Sequence, residues 1–348
     1  MTRRFRVIVV GLGGMSKEWL KYAAAHPNTI EIVALVDVVP QAAEQRAREF
    51  ELNVPIYTTL TEAIQAVPAD LVWDITLPVS RESVVAEALS SGLDVFSEKP
   101  MADSWEAAVR LRDLTKASGR RFLVMQNRRY HPQIRQFRDL VQSGIVGRPG
   151  FAAADFFLGP HFGGFRETMS EPLLLDMAIH TFDQARFLLG SNPTSVYCHA
   201  FNPPGSWYQG HAAAIAIFEW ADQMIFEYRG SWAAEGAPTS WESNWRITGS
   251  RGTLIWDGAN PPYAEVVEDE QSKEFMRSTR RQLAMAPATG AGGHGDALDA
   301  MMAALELGTS AETECFDNVH SLSMVFGAIQ SAERGQKILL PEGLEQSP

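Results

Sequence analysis

Lys99 stands between Glu98 and Pro100, directly after the strand-like run Leu93-Asp-Val-Phe-Ser97. An ammonium at the carboxyl end of a strand in a parallel sheet lies where such sheets bind ligands, and it can there stabilise an oxygen that gains negative charge. A second polar group follows far downstream on Leu173-Leu-Leu-Asp176-Met-Ala-Ile-His180-Thr-Phe-Asp183. Asp176, His180 and Asp183 are spaced i, i+4 and i+7, so a helix sets them on one face. Leu174, Met177, Ile179, Phe182, Phe187 and Leu188 occupy much of the remaining circumference, which predicts a helix buried between layers. A polar stripe in such a helix needs a reason. Histidine titrates near neutrality and suits proton transfer, and a carboxylate one turn away can orient the ring and stabilise its charged form. The residue types would also serve a metal, but the lysine opposes a cation and no metal is expected. For an isolated histidine, a satisfied core role is the better reading, with the aspartates accepting backbone N–H groups. Lys99 likewise has a plainer role open to it, an ion pair with Glu98, and Pro100 predicts a fixed bend for which a cis bond is accessible.

What tips the balance is the start of the chain. Phe5-Arg-Val-Ile-Val-Val10 is a β-branched apolar run, followed by Gly11-Leu-Gly13-Gly14-Met-Ser16 and a helical stretch through Trp19, Leu20 and Tyr22. That succession is strand, glycine turn, helix. Gly11 permits the tight turn, Gly13 lets backbone approach a pyrophosphate, and the helix N-terminus presents N–H groups and a positive dipole end. Ser16 replaces the third glycine of the pattern; a small hydroxyl can still fit against the strand and adds a donor. The next strand, Ile30-Glu-Ile-Val-Ala-Leu-Val36, ends at Asp37, whose carboxylate can accept the two ribose hydroxyls of an adenosine and would repel a 2′-phosphate. Val38-Val-Pro40 follows without a close arginine, so NAD is favoured over NADP. Methyltransferases also pair a glycine loop with an acidic strand end, so the fingerprint alone leaves S-adenosylmethionine open.

The elements that must position these groups are legible in outline. With 348 residues the chain suits two domains. Hydrophobic content of 45% and charged content of 21% are those of a globular protein, and the net charge of −12 argues against nucleic acid or an anionic membrane as partner. The basic start is followed by an apolar run that breaks at Gly11, too short for a signal or a spanning helix, and a cytoplasmic protein is expected. Cys198 and Cys315 have no metal-type spacing and read as packing residues. Strand and helix signals alternate to about residue 125, as a doubly wound parallel sheet requires, with helices over 83–90 before Gly92 and over 104–118 from an N-cap at Ser104 to Gly119. Beyond Gln126, a helix over 132–143 precedes strands near 150–158, 196–201, 212–220, 223–232, 243–248 and 253–256. Their tight connections predict an antiparallel meander. Ala213-Ala-Ile-Ala-Ile-Phe218 is apolar on both faces, so one face should cover a helix and the other meet a second subunit. Helices are expected over 295–307 and 318–334, and residues 272–293 read as a mobile loop. The division predicted is residues 1–125 and 126–348.

Gly11-x-Gly13, Glu98-Lys99-Pro100, Arg129-Tyr130-His-Pro132, Asp176-x-x-x-His180-x-x-Asp183 and the turn Ile247-Thr-Gly-Ser-Arg-Gly252 occur in this order. The pattern resembles the glucose–fructose oxidoreductase / inositol dehydrogenase / MocA family over nearly the entire chain. The resemblance implies an α/β Rossmann dinucleotide-binding domain followed by an α+β domain with an open, mainly antiparallel sheet, and NAD(P)-dependent oxidation or reduction of sugars and polyols. It also implies homodimers or homotetramers assembled through that sheet. Two departures stand out. Ser170-Glu171-Pro172 replaces the glycines that often precede the aspartate helix, and Arg81-Glu82 stands where a histidine often follows the Thr-Pro turn.

On this footing Lys99, His180 and Asp176 are the expected catalytic residues. His180 would take the hydroxyl proton, Lys99 would stabilise the developing alkoxide, and Asp176 would hold His180 and bond a second hydroxyl, with the sugar in the cleft between domains. The cofactor is expected to meet Gly11, Gly13, Gly14, Met15, Asp37, Thr76, Pro78, Glu98 and Lys99. Arg129 and His161 are weaker substrate candidates beside Asp176 and His180; Arg129 is equally suited to a plain salt bridge, and His161 comes from a set of aromatic and donor residues with Phe165, Arg166, Tyr208 and Trp232. An NAD-sensing protein, or NAD-assisted glycoside cleavage or epimerisation on the same domains, are the competing functions.

Overall fold

The computed structural model describes residues 3–283 and 290–341, which fall into two compact units. The first takes the chain up to Asn127 together with Gly292–Leu322, and the second takes Arg128–Ala291 and residues 323–341.

In the first unit, β1 (Phe5–Val10), β2 (Ile30–Val36), β3 (Ile56–Tyr57), β4 (Leu71–Asp74), β5 (Asp94–Glu98) and β6 (Phe122–Met125) form one sheet in the order β3-β2-β1-β4-β5-β6. Every pairing is parallel. Val7, Ile8 and Val9 of β1 and Leu71, Val72 and Trp73 of β4 are fully buried, as strands covered by helices on both faces must be. This is the Rossmann order, with its switch point where β1 and β4 diverge. Caps confirm the local code: Ser104 Oγ accepts the Ala107 N–H at 3.3 Å, and Gly119 ends that helix at φ 61°.

From sequence, residues 126–348 were assigned to one domain; the segment Gly292–Leu322 departs from that assignment. Three pairings hold it in the first unit: Arg121 Nε to Glu314 Oε1 at 2.9 Å, the Tyr22 hydroxyl to Asp299 Oδ1 at 2.7 Å, and His294 Nε2 to Glu98 Oε1 at 3.0 Å. The partners are 193, 277 and 196 residues apart in the chain, beyond the reach of any local pattern.

The second unit is built on β7 (Pro149–Phe157), β8 (Ser195–Phe201), β9 (Ala213–Glu219), β10 (Ile225–Ser231), β11 (Asn244–Gly249), β12 (Gly252–Trp256), β13 (Tyr263–Val267), β14 (Thr279–Leu283) and β15 (Ile338–Leu339). Their order is β14-β13-β12-β11-β7-β10-β9-β8-β15. The sheet is mostly antiparallel, but the expected meander is interrupted: β7 inserts between β11 and β10 and runs parallel to β10. β14 lies inside the stretch read as a loop. Its residues are polar and largely exposed, and it pairs with β13 at the sheet edge, so no apolar alternation announces it; residues 284–289 of that stretch lie outside the described residues. One face of the sheet is packed, with the Phe182 ring 4.8 Å from Phe218 and 5.2 Å from Tyr228. The other face is open and carries exposed Tyr197, Phe201, Ile215 and Ile217.

The predicted helix over 173–189 has two parts. Leu173–Ala178 is a wide turn of the π type, and a regular α-helix runs over Ile179–Leu189. A π turn advances by a smaller angle per residue than an α turn, so Asp176 is displaced from the single stripe that the i, i+4, i+7 spacing predicted. Cys198 and Cys315 are both buried, and burial pushes each thiol up to about 12, in keeping with packing roles. Among the described residues no helix is long and apolar enough to cross a membrane.

Candidate active site

At the carboxyl edge of the first sheet, Gly11 turns the chain at φ 89°, where a Cβ would stand 2.7 Å from the Ile75 carbonyl carbon. The fold itself demands glycine there. A Cβ on Gly13 or Gly14 would meet nothing within 4 Å among the described residues, which leaves backbone open to the close approach of a ligand. Ser16 fits where the pattern has glycine: its Oγ donates to the Gly13 carbonyl at 2.7 Å, and Arg46 donates to both, at 3.2 Å to Oγ and 3.0 Å to the carbonyl. Asp37 closes β2 and binds the loop, accepting the Leu12 N–H at 2.7 Å and the Val39 N–H at 2.8 Å. Met15, Val38 and Leu77 are exposed on the loops that leave β1, β2 and β4, an apolar fringe suited to the flat rings of a dinucleotide. Thr76, with Pro78 opening the next helix, is fixed by its N–H and hydroxyl on Asp74 Oδ1 at 3.0 and 2.5 Å. This set fits NAD.

Glu98 ends β5 and is buried, and Lys99 follows it through a cis bond to Pro100. The Glu98 carboxylate receives Trp19 Nε1 at 2.9 Å, His294 Nε2 at 3.0 Å and the Lys99 backbone N–H at 3.3 Å. Burial pushes this carboxyl up, but the His294 hydrogen bond and charge, the Trp19 N–H and the Lys99 ammonium outweigh it, so Glu98 lies below the usual carboxylate range. A depressed carboxyl contributes stability above its unfolded-state value and loses it as pH falls through the folded-state value. His294→Ala removes the strongest opposing partner. That variant should melt below the parent near neutral pH, and the gap should narrow as pH falls, because a less depressed carboxyl loses less stability on acidification.

In the second unit, Asp176 Oδ2 accepts Arg166 Nε at 2.6 Å, and the Arg166 guanidinium lies 5.1 and 4.8 Å from the Phe162 and Phe165 rings. Arg166 was only one of several donors in the sequence pattern; it lies in the short helix Phe165–Thr168, ten residues before Asp176. His180 is 6% exposed, in the first turn of the regular helix. Asp183 is fully buried and paired with Arg129, through Nε at 2.8 Å and a second bond from Nη2. Arg129 thus makes the salt bridge to which its position was equally suited. Asp183→Asn should cost about 3–5 kcal/mol in a urea unfolding experiment, because the Arg129 charge remains buried without its counter-charge. His161 is exposed, stacked on Trp207 at 3.7 Å with Nε2 2.8 Å from Glu235. The expected residues are thus gathered in two sets, the glycine loop with Glu98 and Lys99 in the first unit and Asp176 with His180 in the second.

Family comparison matches both units. Residues 5–126 match an oxidoreductase family model with an NAD-binding Rossmann fold, and residues 134–255 match the GFO/IDH/MocA C-terminal domain. The chain belongs to the GFO/IDH/MocA family. Its first unit is accordingly an NAD-binding domain, and the chain is an NAD-binding oxidoreductase. Among relatives, the uncharacterized protein y4oX of Sinorhizobium fredii is 27% identical over 98% of this chain and 97% of its own length. The inositol 2-dehydrogenase/D-chiro-inositol 3-dehydrogenase of Lacticaseibacillus casei is 30% identical over 55% of this chain, and the match spans 55% of that enzyme. An oxidoreductase from Agrobacterium radiobacter, solved with NAD+, L-tartaric acid and magnesium, shares the fold at a TM-score of 0.84 and 18% identity, covering 97% of this chain and 98% of that one. The GFO/IDH/MocA architecture thus extends over both units.

Proposed function

We propose that this protein is an NAD-dependent dehydrogenase that interconverts a secondary hydroxyl and a ketone on a sugar, inositol or related polyol. The observation that carries this reading is the buried His180, one turn after Asp176, in a chain whose dinucleotide-binding sheet ends in Glu98-Lys99-Pro100. Bound NAD supplies the hydride acceptor at its nicotinamide ring. His180 takes the hydroxyl proton in oxidation and returns it in reduction. The Lys99 ammonium stabilises the alkoxide as charge develops. Asp176, shared with Arg166, orients His180 and accepts a second substrate hydroxyl. Thr76 and Pro78 shape the cofactor loop, and Met15 covers it. The name of the 30% identical relative supports an inositol or a similar polyol.

The test is a panel of inositols, aldoses, deoxy-sugars and sugar acids with NAD and NADP in parallel, followed by absorbance of the reduced cofactor. Reduction of NAD by at least one polyol, faster than of NADP, is expected; NAD binding without turnover across the panel would mark a sensing protein instead. The open apolar face of the second sheet is proposed to meet another copy of the chain, since exposed Tyr197, Phe201, Ile215 and Ile217 form the kind of patch that monomers avoid. Light scattering should then give a dimer or tetramer mass. A reaction drawing on the cellular NAD pool suits a cytoplasmic location.

A further inference from the structure

Arg81 is 1% exposed and lies in the helix Pro78–Ser90. Its guanidinium donates in three directions: Nε to Asp74 Oδ2 at 3.0 Å, Nη2 to the Thr76 carbonyl at 2.5 Å and Nη1 to the Pro100 carbonyl at 2.5 Å. Asp74 is the last residue of β4 and is itself fully buried. One side chain therefore ties the carboxyl end of β4 to the residue that follows Lys99, and all of these groups belong to the first unit. Anchoring a helix to a sheet does not call for this. Burying a charge pair has a desolvation penalty of several kcal/mol per ion, and apolar side chains of similar volume often hold such positions equally well. An apolar side chain cannot fix two carbonyl groups relative to each other. A planar fork of donors can, and arginine loses little freedom in doing so.

We propose that Arg81 is a positioning residue for Lys99, fixing the backbone that carries it by clamping the carbonyls of Thr76 and Pro100. Its neighbour Glu82 has a separate task, a surface pair with Arg110 at 2.6 Å. The inference rests on the role given to Lys99 above, but one of its readouts needs no substrate. The chain has six lysines, so ¹³C reductive methylation gives a spectrum in which the Lys99 signal is assignable by its loss in Lys99→Arg. Arg81→Lys keeps a cation opposite Asp74 but replaces the fork with a point charge, and it is the informative variant because Arg81→Gln would leave Asp74 buried without a counter-charge. In Arg81→Lys the Lys99 resonance should move. Turnover per NAD-binding site should fall about 10–100-fold, the scale of an ångström-sized misplacement, with the polyol KM changed far less. Glu82→Gln should leave both readouts at parent values. An unmoved Lys99 resonance with parent turnover in folded Arg81→Lys, or an equal change in Glu82→Gln, would overturn the proposal. A shifted resonance in an enzyme that turns over no polyol strikes the dehydrogenase reading alone.

Discussion

His180→Ala is expected to lower turnover on the best polyol by about 10²–10⁴-fold, the usual contribution of a positioned general acid or base, while NAD binds as in the parent. The division follows from where the residues sit. His180 is in the first turn of Ile179–Leu189 in the second unit, whereas Gly11, Asp37 and Thr76 are in the first. A stopped-flow or steady-state assay over pH adds a sharper criterion. The limb of the pH–rate profile due to the base should vanish in the variant, leaving a low, flat rate over the range where the parent rises. Parent-like turnover in a folded His180→Ala protein would remove the imidazole from the chemistry. A loss confined to KM would make it a binding group.

The second large effect separates two glycines that look equivalent in sequence. Gly11→Ala must accommodate a Cβ 2.7 Å from the Ile75 carbonyl carbon at φ 89°. Strained backbone of this kind costs about 1–3 kcal/mol, and forced overpacking about as much again. The melting temperature should fall with NAD withheld, and NAD affinity should fall with it. Gly13→Ala has open space for its methyl group, so its melting temperature without NAD should match the parent. Its NAD affinity should still drop at least about tenfold, or 1.4 kcal/mol, because the methyl group occupies the surface that the pyrophosphate approaches. Calorimetric titration beside a thermal melt distinguishes the cases; equal NAD affinity for Gly13→Ala and the parent would place the phosphates elsewhere.

Five of the six strands of the first sheet were readable because they carry apolar runs such as Val7–Val10 and Ile32–Val36, and because caps such as Ser104 and Gly119 act over three or four residues; β3, two residues long, has no such run. The helix expected to start at residue 83 begins at Pro78, since proline at the first helical position also resembles a turn. β14 escaped because an exposed edge strand needs no apolar face. The residue types of the candidate site were visible, but their partners were not. Arg166 reaches Asp176 from a separate short helix, Trp19 and His294 reach Glu98 from 79 residues before it and 196 after it, and Arg81 acts on two carbonyls. Carbonyl partners leave no mark in a sequence. The wide turn over Leu173–Ala178 was equally hidden, because its residues would serve an ordinary α-helix.

The late return of Gly292–Leu322 to the NAD-binding unit has a bearing on synthesis. A nascent chain that has emerged only as far as Asn127 carries all six strands of the parallel sheet, yet Tyr22, Arg121 and Glu98 still await Asp299, Glu314 and His294. Domains ordinarily mature from the N-terminus as translation proceeds. This one is completed only after Gly292–Leu322 has emerged, so a gene fragment stopping at Asn127 should yield a sticky, short-lived product, and transplanting the cofactor module into another scaffold requires both pieces.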